Sequence, residues 1–430
     1  MPGRKTYEAA MILAMTGLYF FSFFQRVAIP GAIFNDIQTE FAISAVEVTR
    51  LSAIYLFVYA VMQPFAGLLA DRFGGVRVVV VSGILLCTGS LLFPMAQGEW
   101  GLYLSRALVG LGASAMYLCL VKESDLYFGG KNYAPILGFL CLLGYCGGLV
   151  GTRPFRLMVE SIGWRNSCLI VAFATCIVLF LTWMIMQRIG RKYVPRKEER
   201  LWSSTIDVLK NKLNYPIIIT VSLSFSIYLS IQATIGPKFL EDICGISPLQ
   251  SSGYTFIMML CTMGSLLFSG IISKLLNNNR KGFLVFYGLA TLTASLLLLT
   301  GTIMGSSPQF FLAAFILLAL AAGTSPVVVL MMKEMNPPEK VAVSIGIFNA
   351  AAYVMVAVMS QIIGRVLDLF KDQIIVTDKA RIYPASAYIT LFSILTLVSL
   401  AAVAASFYSR ETNGKNSGDC YGRLKLRPRS

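Results

Sequence analysis

The chain has 430 residues, of which 56% are hydrophobic and only 13% are charged. Soluble domains carry about a quarter of charged residues, so this composition excludes a series of soluble domains. Lys and Arg outnumber Asp and Glu by 36 to 21, which gives a net charge of +15, and histidine is absent. The lack of histidine excludes Ser/His/Asp triads, imidazole metal ligands and histidine proton relays.

Apolar runs long enough to span a bilayer, which takes about 20 residues, recur along the whole chain. The first run, 9–34, is too long for a signal peptide and has no small-residue cleavage site, so we predict a retained helix. Five further runs complete the first half, at about 51–69, 76–96, 101–120, 134–159 and 167–187. Six more follow a polar stretch, at about 215–240, 251–276, 283–303, 310–332, 341–369 and 385–408.

The runs predict an all-α membrane protein with twelve transmembrane helices in two six-helix pseudo-repeats. The repeat is visible in short matches, such as Lys122 and Glu123 against Lys333 and Glu334. Many transporters place a central site between two such repeats. The predicted parts are an N-terminal six-helix bundle at 1–187, a cytoplasmic linker at 188–214, a C-terminal six-helix bundle at 215–409 and a basic cytoplasmic tail at 410–430.

The placement of the basic residues indicates the orientation. With a cytoplasmic N-terminus, about 25 of the 36 Lys and Arg fall in inner loops and tails, as positive-inside sorting predicts. This explains the charge of +15 better than nucleic-acid binding does. The nine cysteines show no spacing typical of disulfides or zinc sites. We expect a monomeric multi-pass protein of the bacterial inner membrane, with both termini cytoplasmic and no nucleic-acid partner.

Three motifs resemble those of the major facilitator superfamily. The stretch 67–77 reads GLLADRFGGVR and is similar to the signature loop between helices two and three of that family, although Gly75 and Val76 stand where basic residues are frequent. Arg106, Gly110 and Gly112 resemble a fourth-helix pattern of the family. A third motif, 163–165, precedes the sixth run. The resemblance implies a transporter that works by alternating access, with no enzymatic activity, cofactor or metal.

The signature-like loop supplies a candidate gate at the cytoplasmic mouth. Gly67 and Gly74 permit close helix approach and a tight turn, and Asp71 lies among basic residues. The alternative is that these charges only set topology. In the second half Lys274 stands where Asp71 does, which predicts a degenerate latch there. The predicted gating residues are Gly67, Asp71, Arg72, Gly74, Arg77, Arg106 and Glu123.

Arg26 is the candidate anchor for the substrate. It lies deep in the first apolar run, where a charge costs roughly 3 kcal/mol or more, so it marks either a functional cavity or a structural contact with backbone carbonyls. A guanidinium matches carboxylate or phosphate and cannot deprotonate. The resemblance extends to organic-anion branches of the superfamily, where a first-helix arginine binds the anion. Organophosphate carriers of the superfamily typically pair this arginine with a second one at the corresponding position of the second half. Leu229 stands at that position here, so a small carboxylate is favoured over a phosphate ester.

Polar residues at one-turn spacing extend this candidate site, although each could equally serve interhelical packing. The predicted substrate-binding residues are Gln25, Arg26, Tyr55, Tyr59, Gln63, Tyr117, Tyr228, Gln232, Asn349 and Tyr353.

Other substrates and couplings stay open at this point. An amino-acid or zwitterion carrier is the main alternative. A drug efflux pump is less favoured, since Pro154 follows Arg153 rather than a glycine, and a transporter-like sensor is less favoured because it would need an added signalling domain. Lys122 and Lys333 either snorkel or, in the case of Lys122, help the anion leave. No acid lies at mid-depth, and Glu123 and Asp36 are the nearest candidates for proton coupling. Facilitated diffusion, exchange and proton symport all remain.

Overall fold

The structure is a computed structural model that describes residues 4–128, 133–189, 201–377 and 380–415. The helices of the first half are α1 (Arg4–Ala28), α2 (Phe34–Glu40), α3 (Ala45–Phe73), α4 (Gly75–Met95), α5 (Glu99–Ala113), α6 (Met116–Phe128), α7 (Tyr133–Val150), α8 (Arg153–Ile162) and α9 (Trp164–Ile189).

The helices of the second half are α10 (Leu201–Lys210), α11 (Tyr215–Ser230), α12 (Gly236–Cys244), α13 (Pro248–Leu275), α14 (Arg280–Ile303), α15 (Pro308–Gly323), α16 (Ser325–Glu334), α17 (Val341–Asp368) and α18 (Ala385–Phe407). Short 3₁₀ turns lie at Gly31–Ile33, Pro338–Lys340 and Lys371–Gln373. Strands β1 (Ile375–Val376) and β2 (Arg381–Ile382) form an antiparallel pair.

Within these described ranges, twelve helical segments are long and apolar enough to cross a membrane, which confirms the predicted fold class. Four of them are built from two helices each, α5 with α6, α7 with α8, α11 with α12 and α15 with α16. Because successive spans alternate in direction, the start of α1 lies on one membrane side, which we call proximal, and its end lies on the other, which we call distal.

The first apolar run does not form one helix, so the prediction of a helix over 9–34 was wrong at its end. Helix α1 stops at Ala28, and a 3₁₀ turn and α2 follow. Pro30 explains the stop, because proline lacks an N–H and disfavours helical geometry at the residue before it. The chain enters the next span at a capping box, in which Ser44 and Glu47 each bond the other's backbone N–H.

The seventh span is also interrupted. A π-helical turn, Ile231–Ile235, separates α11 from α12, and all five of its residues are buried. Such turns widen a helix by one residue and are frequent at functional sites. The predicted candidate Gln232 lies in this turn.

The chain packs into two compact units that do not follow the predicted boundaries at 187 and 215. The first unit takes its described residues from 1–198, 232–256 and 360–384, so it includes the distal ends of several second-half spans. Within it α1 packs closely on α7, where a Cβ on Gly147 would lie 1.9 Å from the Phe20 carbonyl oxygen. Glycine is therefore required at that crossing.

The second unit takes its described residues from 199–231, 257–359 and 385–430, and α14 packs there against α15 and α18. Part of the predicted linker belongs to it, since α10 is helical and Asn211 donates to the Met335 carbonyl at 3.1 Å. Residues 190–200 of the linker and 416–430 of the basic tail lie outside the described residues, and so does Cys420.

Candidate functional site

Arg26 lies buried near the distal end of α1, with 5% of its surface exposed. Its Cζ is 4.6 Å from the ring centroids of both Phe23 and Tyr59. Two aromatic faces at this distance stabilise a cation, and a guanidinium keeps its charge at any physiological pH. A permanent positive charge is therefore held against an aromatic surface inside the first unit.

The aromatic surface extends beyond the two rings that touch Arg26. Phe23 packs on Tyr145 of α7 with ring centroids 4.3 Å apart. Tyr19 contacts both Phe23 and Tyr117, each at 5.6 Å between centroids. Sequence reasoning named Tyr59 and Tyr117 but missed the other three rings, because phenylalanine and tyrosine in apolar helices are typical of packing. We call Tyr19, Phe23, Tyr59, Tyr117 and Tyr145 the aromatic cluster.

Arg106 is the second buried arginine of the first unit, and its surroundings are different. Its guanidinium is fully buried and donates to the carbonyl oxygens of Leu51, Gln25 and Ile29 at 3.1 to 3.3 Å. These bonds join α5 to α1 and α3. The contact with Leu51 lies at the start of α3, whereas Asp71 lies near its other end, so the structure does not bring Arg106 to the predicted gate.

Three predicted substrate residues, Gln25, Tyr55 and Gln63, make interhelical hydrogen bonds. Gln25 Nε2 donates to Ser90 Oγ at 3.0 Å, and Gln25 Oε1 accepts from Arg106. Tyr55 donates to the Ser22 carbonyl at 3.3 Å, and Gln63 donates to the Ser114 carbonyl at 3.1 Å. Such hydrogen bonds are what we expect if these residues serve interhelical packing rather than substrate binding.

The remaining predicted substrate residues lie on second-half spans. The Tyr228 hydroxyl is 3.0 Å from Thr262 Oγ1, and the Tyr353 ring packs edge-on against Phe225. Gln232 is buried in the π turn and donates to the Thr255 carbonyl at 3.0 Å. Asn349, one turn before Tyr353 on α17, is half-buried.

At the proximal end of α3, the structure joins part of the predicted gate. Lys122 Nζ lies 2.7 Å from Asp71 Oδ1 and donates to the Ala70 carbonyl at 2.5 Å. This assigns Lys122 a partner that the sequence left open, and both residues belong to the first half. Arg72 and Arg77 are exposed, and neither forms an ion pair with another described residue.

The glycines of this loop have distinct roles. Gly74 has a φ of +90°, which confirms the predicted turn. A Cβ on Gly75 would lie 2.6 Å from Oε1 of the buried Glu123, so the departure from the family pattern at this position makes room for that carboxylate. At Gly67 no described atom lies within 4 Å of an added Cβ, so the expected close approach is not present there.

The second half has its own buried ion pair at the corresponding place, which corrects the prediction of a degenerate latch. Arg280 Nη2 lies 3.2 Å from Glu334 Oε1, and Arg280 Nη1 donates to Ser273 Oγ at 2.6 Å. Thr412 also donates to Glu334. The described start of the predicted tail is thereby held against α14 and α16.

At the distal side, the first unit contains charged residues that sequence reasoning largely missed. Lys238 and Asp242, one turn apart on α12, form an ion pair with both side chains almost fully buried. Asp36 pairs with Arg156 at 2.6 Å. The spacing of Lys238 and Asp242 inside an apolar run is the signal that could have found them. Among the described residues no group of His, Cys, Asp or Glu has the arrangement of a metal site.

Residues 15–360 match the sequence profile of the Major Facilitator Superfamily. A human protein named monocarboxylate transporter 7 is 30% identical over 33% of this chain and 27% of its own length. A galacturonate transporter of Dickeya chrysanthemi is 26% identical over 42% of this chain and 51% of its own length. The chain thus spans about half or less of the length of these curated relatives.

Solved structures show the same fold. A bacterial homologue of the human lysosomal transporter Spinster, in an inward-facing and unoccupied conformation, has a TM-score of 0.74 at 16% identity, covering 94% of this chain and 96% of that one. The profile match over well more than half of the sequence identifies the chain as a member of the Major Facilitator Superfamily, and the twelve apolar spans make it a multi-pass membrane protein.

Proposed function

We propose that the chain carries a small organic anion, most favourably a monocarboxylate, by alternating access. The observation that supports the proposal is the placement of Arg26, buried between the ring faces of Phe23 and Tyr59. A guanidinium binds a carboxylate through its planar N–H fork. The names of two relatives, a monocarboxylate and a galacturonate transporter, support the same substrate class.

The aromatic cluster suits the rest of such a substrate. Its rings offer apolar surface beside the charge, so a short carbon chain or the face of a sugar acid could pack there while its carboxylate meets Arg26. A cationic substrate would instead face the like charge of Arg26. An amino acid carries a carboxylate that Arg26 also suits, and it remains the second candidate.

For the orientation we propose that both termini are cytoplasmic, in a bacterial inner membrane, and that the protein acts as a monomer. The support is the excess of basic residues on one set of loops. A reporter enzyme fused to the C-terminus should be active only in its cytoplasm-specific form. Activity of a periplasm-specific reporter at that position would contradict the orientation.

The substrate proposal is tested by thermal unfolding of the purified protein with a matched panel of ligands. The panel pairs monocarboxylates with their amides, sugar acids with neutral sugars, and amino acids with amines. A ligand at 100 times its dissociation constant adds about 2.7 kcal/mol to the free energy of unfolding. We expect stabilisation by carboxylates and none by their neutral partners. Stabilisation by neutral or cationic compounds alone would overturn the proposal.

A further inference from the structure

Helix α10, which lies just before the seventh span, exposes two large apolar side chains. Ile206 is 50% exposed and Leu209 is 45% exposed, whereas Val208 between them is buried. Residues three apart in a helix lie on the same face, so Ile206 and Leu209 form one apolar face while Val208 packs against the protein. The substrate and gating residues are not on this helix, so its apolar face needs a separate explanation.

The second unit holds α10 in a fixed orientation. Lys340 Nζ pairs with Asp207 Oδ2 at 2.6 Å. At the end of the helix, Asn214 Nδ2 donates to the Val208 carbonyl and to Asn336 Oδ1, both at 3.1 Å. These bonds prevent the helix from turning about its axis. The two exposed apolar side chains therefore cannot be buried by a rotation of α10 and stay directed away from the protein.

The connection to the seventh span places α10 at the membrane boundary. The chain between them is one tight turn, in which the Asn211 N–H donates to the Val208 carbonyl at 3.2 Å and the Asn214 N–H to the Asn211 carbonyl at 3.1 Å. The span begins at Tyr215, whose hydroxyl donates to the Leu209 carbonyl. Tyrosine is enriched at the level of the lipid headgroups. The apolar face of α10 therefore lies beside the lipid of the proximal leaflet.

The charges of this segment indicate which lipid suits it. Lys210 and Lys212 are exposed, and neither forms an ion pair with another described residue. The stretch 188–212 has eight Lys and Arg but three Asp and Glu, so its excess charge is positive. Basic clusters next to a span or on an amphipathic helix bind acidic phospholipids. The segment thus combines an apolar face with charges complementary to an anionic membrane surface.

We propose that α10 is a binding element for acidic phospholipid in the proximal leaflet. Ile206 and Leu209 enter the boundary of the acyl layer, and Lys210 and Lys212 contact the lipid phosphates. Because the end of α10 is bonded to Asn336, just after α16, the bound lipid fixes the proximal end of the second unit against the bilayer. This role does not depend on which substrate is carried.

The test measures hydrogen–deuterium exchange of 201–214 in the full-length protein, in nanodiscs that hold one copy each. One set contains phosphatidylcholine alone, and the other contains an equal mixture of phosphatidylcholine and phosphatidylglycerol. We expect several-fold slower exchange of 201–214 in the mixture, and equal exchange of α14 in both. Lys210→Gln combined with Lys212→Gln should remove the difference between the lipids, and high salt should weaken it in the wild type.

The apolar contact and the specificity of the charge are tested by two further variants. Ile206→Ser combined with Leu209→Ser should exchange faster than the wild type in both lipids, because the helix loses its seat in the acyl layer. The matched control is Lys274→Gln, which neutralises another exposed proximal lysine that forms no ion pair with a described residue. This control should keep the full difference between the lipids.

Equal exchange of wild-type 201–214 in the two lipids, or a difference that survives Lys210→Gln with Lys212→Gln, would overturn the acidic-lipid site. Loss of the difference in Lys274→Gln as well would show a general charge effect and would also overturn it. Protection found only in crowded proteoliposomes, and not in single-copy nanodiscs, would mean that a second copy covers this face, contrary to the proposal. Failure to transport any carboxylate would overturn the proposed function and leave these exchange data unaffected.

Discussion

Two buried arginines of the first unit, Arg106 and Arg26, differ in the groups that surround their guanidinium. Arg106 donates to three backbone carbonyls and so fastens α5 to α1 and α3. Arg26 rests between two ring faces. The sequence marks both as costly charges in apolar helices, but residue type and depth alone do not tell which neighbours each one meets. Contact with backbone carbonyls, which was the structural alternative considered for Arg26, is what the structure shows for Arg106.

Gly75 and Gly67 provide a matched pair of glycines in one loop region. In Gly75→Ala the new methyl group must displace the Glu123 carboxylate, which we expect to cost about 1–3 kcal/mol of unfolding free energy. In Gly67→Ala the methyl group meets open space on a helix, and the change should be neutral or slightly stabilising. Melting temperatures in one detergent compare the two variants directly.

The contact with Glu123 is tested by a second change. Glu123→Asp shortens the side chain and should recover part of the loss in the Gly75→Ala background, as a double-mutant cycle would show. Equal melting temperatures for Gly75→Ala and Gly67→Ala would show that the Glu123 contact does not restrict this position.

At the scale of elements, apolar length predicted the twelve spans, and local chemistry explains their ends. Pro30 stops α1, and the Ser44 and Glu47 capping box starts α3. The break between α7 and α8 falls just before Pro154. The π turn at Ile231–Ile235 could not be predicted, because an extra residue in a helical turn leaves no mark in an apolar sequence.

The candidate site was predictable only in part for a similar reason. Arg26 and Tyr59 could be found because charge and polarity stand out in a span. Phe23 and Tyr145 could not, since helix–helix packing decides which rings surround a cation. Gln63 formed a predicted stripe with Tyr55 and Tyr59, but it bonds the backbone of Ser114 instead.

The ion pair between α3 and α6 gives a prediction at the same scale. Asp71 and Lys122 are partly exposed, with 56% and 28% of their side chains accessible, so Asp71→Asn should change the unfolding free energy by less than about 1 kcal/mol. If the pair acts in the proximal gate, uptake into proteoliposomes should nevertheless fall. Lys274→Gln, at the exposed repeat position, is the control and should transport normally. Normal uptake by Asp71→Asn would leave this pair without a gating role.

For the whole molecule, the few charges of an apolar chain are concentrated at the proximal and distal ends of its spans. Proximal charges form the Asp71–Lys122 pair in one unit and the Arg280–Glu334 pair in the other. Distal charges gather around Lys238 and Glu241 in the first unit. Sequence reasoning considered Glu123 and Asp36 as candidates for proton coupling, and the structure shows Asp36 paired with Arg156.

The central claim is that Arg26 binds the carboxylate of the substrate, and uptake by two lysine variants tests it most directly. In Arg26→Lys the planar fork is lost, so uptake of the carboxylate that best stabilises the wild type should fall at least about tenfold, which corresponds to 1.4 kcal/mol, with the melting temperature nearly unchanged. Arg106→Lys should instead lower the unfolding free energy by about 2 kcal/mol, because backbone carbonyls lose their donors. Wild-type uptake by a folded Arg26→Lys variant would contradict the account.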